Sequence, residues 1–179
     1  MSLKNNTHTN ILPLWLLIIY PMLIALDIYT TYLATPNLSF ENNWFILKLN
    51  MGWTSIITCS ALGAAVTIFL GTKANTFFKE NSTSLFHQKK KLQFILYGLL
   101  IWWFWGHLIY TCYVIFNNYL SYLYLHPDKL MGVSTLATRY VNYYQKYPFH
   151  HTVVFCCAIL AAGFITYSLI LDKNRQQSS

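Results

Sequence analysis

Charge is scarce in this sequence. Of 179 residues only 9% are Asp, Glu, Lys or Arg, against roughly 25% in an ordinary soluble domain. Just five are acidic: Asp27, Glu41, Glu80, Asp128 and Asp172. A chain of this size cannot cover a soluble globule with so few charges. Cysteine is also sparse, and Cys59, Cys112, Cys156 and Cys157 all fall inside apolar stretches, where a thiol behaves as a small hydrophobe. Without a C-x-x-C pair the sequence implies neither a disulfide framework nor a zinc site. No G-x-S-x-G, H-E-x-x-H, P-loop or G-x-G-x-x-G is present, which removes the enzyme classes those signatures announce. No cofactor is expected.

What the chain has instead is hydrocarbon: 55% of it is hydrophobic and 18% aromatic. A bilayer-spanning helix needs about 20 mostly apolar residues, and the windows 11–34, 51–72, 92–120 and 152–171 satisfy that. The third continues apolar through Tyr124, too long for one crossing unless it tilts or projects. Unbroken runs, with no short alternating segments, predict helices and not a β-barrel. The first run exceeds the 7–15 residues usual in a signal peptide and lacks an A-x-A site, so it reads as an uncleaved span. The expected fold is all-α: one integral membrane bundle of four transmembrane helices, plus an amphipathic interfacial helix over about residues 128–147.

The net charge of +7 does not point to nucleic acid, because its distribution is that of a topology signal. Both tails and the second loop hold Lys4, Lys73, Lys79, Lys89, Lys90, Lys91, Lys173 and Arg175. The first and third loops hold only Lys48, Lys129, Arg139 and Lys146. The positive-inside rule then puts both termini in the cytoplasm. The expected partners are the lipid bilayer and a membrane protein, either another chain or a second copy. Small-residue faces around Ser60–Ala65 and Ala158–Gly163 would make close contacts.

Two features break the apolar pattern. Asp27 lies inside the first span, with Thr30 and Thr31 on the same helix face at i+3 and i+4, and their hydroxyls can donate to the carboxylate. A charge at that depth costs about 2.5 to 3.5 kcal/mol on insertion scales and marks either a candidate functional site or a structural interhelical hydrogen bond. In the third span, Trp102, Trp103 and Trp105 stand far from an interface, where Trp is usually found, and His107 follows them. At 1.5 Å per residue, His107 is roughly 23 Å from the span's start at Leu92, and Asp27 roughly 24 Å from Ile11. Equal depth predicts an Asp27–His107 pair beside a Trp103 wall. A Ser–His–Asp set from Ser60, His107 and Asp27 is a further option.

The third loop carries a helical stripe of Val133, Leu136, Ala137, Tyr140, Val141, Tyr144 and Tyr147, with polar residues opposite. Such a helix would lie on the membrane surface or cap the bundle. The adjacent His150 and His151 point to different helix faces and make a poor metal clamp, so no metal site is expected.

The segment L-D-I-Y-T-T-Y-L followed by E-N-N resembles small prokaryotic multi-pass membrane proteins of unknown function. Those carry an intramembrane D-x-x-T-T and, after a short loop, E-x-N-P before the next span. Asp27, Thr30, Thr31, Glu41 and Asn43 match the pattern, and Trp44 stands where the proline would be. The resemblance covers the first two spans and brings no activity. It implies that Glu41 and Asn43 fold back over the Asp27 patch, and it places the chain in a bacterial inner membrane. The expected binding set is therefore Asp27, Thr30, Thr31, Glu41, Asn43, Trp103 and His107, engaging a proton, a cation or a small amphiphile. An interaction protein, either a partner subunit or of toxin-immunity type, acting through the third loop is the alternative, and an intramembrane enzyme the third reading.

Overall fold

Five helices account for nearly all of the computed structural model, which describes residues 12–38, 46, 48–80, 88–129, 131–147 and 149–178. They are α1 (Leu14–Ala34), α2 (Trp53–Glu80), α3 (Gln88–Leu125), α4 (Met131–Lys146) and α5 (His150–Ser178). No strand occurs among the described residues. α1, α2, α3 and α5 are long and apolar enough to cross a membrane, and α4 is the shorter amphipathic helix between the last two. Glu41, Asn43 and Trp44 lie outside the described residues.

α3 is the hub, packing against each of the other four helices. Its 38 residues make a rod of about 57 Å, longer than the ~30 Å hydrocarbon core. The excess is not left bare: Leu120 and Leu123 bury against Ala137 of α4, with Tyr122 and Tyr140 alongside. The far end of the overlong third window is thus covered by α4. α4 turns Ala137, Tyr140, Val141 and Tyr144 inward, while Leu136 and Tyr147 of the expected stripe are exposed.

α1 and α3 run parallel at a constant offset of 87 residues: Tyr20 meets His107, and Thr31 meets Asn118. At the first level and on its side nearer the start of α1 lies the main core, in which Leu16, Leu17, Tyr20, Ile101, Phe104 and Leu108 are buried together. The tryptophans deep in the third window find separate surroundings, because successive helix residues point about 100° apart. Phe104 is in the core, Trp103 is exposed, and Trp102 donates from Nε1 to the Ile159 carbonyl at 2.6 Å. That bond needs a close α3–α5 crossing, which Gly106 and the buried Ala158 and Ala162 permit. A Cβ on Gly106 would lie 2.8 Å from Ile159 Cδ1.

α2 departs from expectation in its middle and at its C-terminal end. Gly63, in its expected small-residue face, has nothing within 4 Å of a would-be Cβ, and within the chain only Ala64 of that face is buried. The second loop is shorter than hydropathy implies. α2 continues to Glu80 because Phe77 stacks on Tyr97 and Phe78 meets Phe94 edge-on. Asn75, on this extension, clasps the chain ahead of α1: it accepts from the Leu12 amide at 2.7 Å and donates to the Leu12 carbonyl at 2.8 Å. At the opposite end Trp53 donates to the Pro36 carbonyl at 2.7 Å, tying the start of α2 to the turn after α1.

Candidate functional site

Where α1, α3, α4 and α5 meet, the packing opens into a cavity of about 660 Å³ lined by Asp27, Thr31, His107, Asn118, Tyr140, Tyr144 and His151, among others. It lies at the α4 end, away from the termini. The sequence supplies this opening through a polar stripe on α3 at helical spacing: His107, Thr111, Asn118 and Ser121, with Tyr110 and Asn117 on its flank.

Hydrogen bonds cross the cavity wall from helix to helix. Asn118 Nδ2 donates to Asp27 Oδ1 at 3.3 Å and to Thr31 Oγ1 at 2.8 Å. Its own carbonyl oxygen accepts from Asn117 Nδ2 at 3.4 Å, and Asn117 Oδ1 accepts from the Tyr140 hydroxyl at 3.0 Å. The run thus connects α4 through two α3 amides to the Asp27 carboxyl, with a side contact from the Tyr140 hydroxyl to that of Tyr113 at 3.4 Å. A second branch links Tyr113 to His151 Nδ1 at 3.1 Å and His151 Nε2 to the Tyr144 hydroxyl at 3.0 Å. Burial pushes the Tyr140 phenol above its ordinary range, with the neighbouring Tyr144 adding to the shift and the Tyr113 hydrogen bond opposing it. Tyr140 is therefore a neutral donor at pH 7.

The structure gathers Asp27, Thr31 and His107 around one cavity but not at one level. With the 87-residue offset, Asp27 stands level with Val114, seven residues or about 10 Å along the axis from His107. His107 Nδ1 instead has the Tyr20 hydroxyl at 3.0 Å and that of Thr111 at 3.3 Å. The equal-depth count goes astray because α3 begins before Leu92 and α1 begins after Ile11. Thr30 is buried, and its hydroxyl donates back to the Asp27 backbone carbonyl at 3.1 Å, away from the carboxylate.

Trp103 faces elsewhere. It lines a larger groove of about 890 Å³, walled by Leu70, Leu96, Leu99, Leu100, Trp102 and Phe155 among others, along the exposed flank of α3. Its ring still lies 6.3 Å from that of His107, so His107 has the cavity on one side and this wall on another. Ser60 is not in the cavity lining, so the structure does not assemble it with His107 and Asp27.

Asn117, Asn118, Tyr113, Tyr140, Tyr144 and His151 are the members that the sequence reading did not select. The polar periodicity on α3 was the signal for the first two. Among the described residues no group of three His, Cys, Asp or Glu could hold a metal ion. Comparison with protein-family models, curated proteins and solved structures finds no match.

Proposed function

We propose that this chain is a multi-pass protein of a bacterial inner (cytoplasmic) membrane, both termini cytoplasmic, that binds a small ligand or carries it across from the Asp27 cavity. Lipid is the natural environment for exposed side chains such as Leu14, Ile18, Leu62, Leu160 and Phe164. The bias of Lys and Arg toward the tails and second loop supports the orientation, and the D-x-x-T-T resemblance supports a prokaryotic source.

The single observation that carries the reading is the cavity itself. A carboxylate used only as a helix fastener needs one or two donors and a closed interface. Here a void of about 660 Å³ stays open around it. Unfilled volume costs packing energy, and an ionisable group among apolar spans costs insertion energy. Two costs at one place point to use. The cavity also falls in the 300–1,000 Å³ range of small-molecule sites. An enzymatic reading has less support, because the cavity's serine, Ser121, donates its hydroxyl to the Asn117 backbone carbonyl at 2.9 Å.

The exposed face of α4 favours a second reading, as a partner-docking surface. The rings of Tyr143 and of Tyr147, just past the helix end, lie 4.7 Å apart and tilted, with Lys146 above the Tyr147 ring, and both tyrosines are exposed.

Thiol labelling separates the two. In a background with the four native cysteines replaced, Thr31→Cys should react with a neutral, water-soluble methanethiosulfonate added opposite the termini. Leu62→Cys on the lipid side should not. A Thr31→Cys that stays unlabelled while Tyr143→Cys reacts would sink the cavity reading and leave the α4 surface.

A further inference from the structure

The cavity's chemistry narrows its ligand class. Among the described residues its lining holds one carboxyl group, Asp27, two histidines, His107 and His151, and no lysine or arginine. The nearest cations on α4, Arg139 and Lys146, are on its exposed side. Tyr110, Tyr124, Tyr140 and Tyr144 add aromatic rings to the wall, and an aromatic face carries negative potential that attracts a cation. A hydrogen-bond run from Tyr140 through Asn117 and Asn118 reaches the Asp27 carboxyl and holds it in place. Thr31, Thr111 and Ser121 add hydroxyl groups to the same lining. An anionic ligand would be set against the Asp27 carboxyl, whereas a cationic one would be drawn to it.

From this arrangement we propose that the cavity is a site for a small organic cation, an ammonium group that sits against Asp27 and is flanked by tyrosine rings. This rests on the reading of the cavity as a ligand site and goes on to name the ligand class. The carboxylate supplies the charge preference. The rings favour an alkylated ammonium over a hydrated metal ion, because methyl groups bury against them at little desolvation cost.

The test uses the full chain in lipid nanodiscs and three probes of nearly one shape: choline, its uncharged isostere 3,3-dimethylbutan-1-ol, and the anion 3,3-dimethylbutanoate. Calorimetric titration should show saturable choline binding at least tenfold tighter than that of the isostere, with no binding of the anion. Asp27→Asn should reduce choline affinity at least tenfold and bring it level with the isostere, while Asp27→Glu retains the preference. The comparison on wild-type protein needs no variant, so a substitution that fails to fold does not spoil it. If the uncharged or anionic probe binds as tightly as choline, and Tyr140→Ala abolishes that binding, the cation assignment is wrong while the ligand-site reading survives. If none of the three binds saturably to folded wild-type protein, both fall.

Discussion

Phe104→Ala is expected to be the most destabilising single truncation in the bundle, by about 2 kcal/mol. Phe104 is 1% exposed and sits in the α1–α3 core, its ring 5.2 Å from that of Tyr20. In a soluble protein such a change costs about 3–5 kcal/mol, because water-transfer energy and cavity energy add. Between helices in lipid the transfer part largely vanishes, since acyl chains are as apolar as the core. The cavity part remains: at ~24 cal/mol per Å³, a void on the order of 100 Å³ gives about 2 kcal/mol. The loss should reach the site as well, because the Tyr20 hydroxyl holds His107 Nδ1. Thermal unfolding in mild detergent measures it. A midpoint within a degree of wild type would mean that α1 and α3 do not pack as described.

Gly106→Leu is expected to rank next, by the opposite mechanism. A Cβ at this position would already stand 2.8 Å from Ile159 Cδ1 and 3.6 Å from Ala162 Cβ. Alanine can be absorbed if the flexible end of Ile159 turns. Leucine cannot be, and must push α5 away from α3. Overpacking of this kind typically costs about 1–3 kcal/mol, and separation would also break the Trp102 to Ile159 hydrogen bond. Gly63→Leu is the matched control, because nothing lies within 4 Å of its Cβ position. The two variants compared by thermal unfolding should differ by several degrees, with Gly106→Leu the lower. Equal midpoints would contradict the close crossing.

The architecture was legible because it follows from solvent. Four apolar runs of spanning length need a bilayer, and the stripe around Ala137 and Tyr140 needs a surface to cover. The charge at Asp27 stood out for the same reason, since one carboxylate in hydrocarbon is conspicuous on any hydropathy scale. The rest of the cavity was not conspicuous. Asn117, Asn118 and Tyr113 are uncharged, stand near the end of an overlong run, and become a network only when α4 and α5 fold onto α3. His151 looked like half of an ineffective metal pair, but its ring nitrogens are taken by Tyr113 and Tyr144. Depth counting from window ends failed for Asp27 and His107 because hydropathy windows do not mark helix ends. Phe77 and Phe78 carried α2 beyond its window, and α3 began before its own.

The central claim is that Asp27 is held for a ligand and not for the fold. In Asp27→Asn the remaining carbonyl oxygen can still accept from Asn118, which also keeps Thr31, so the α1–α3 link survives the loss of charge. Functional groups of this kind are kept at a cost to stability. The account predicts that Asp27→Asn unfolds in mild detergent at the wild-type temperature or above it. For a chain of this length about 1 kcal/mol corresponds to roughly 2–4 °C, so a midpoint lowered by more than about 4 °C would make Asp27 a bundle fastener and contradict the account.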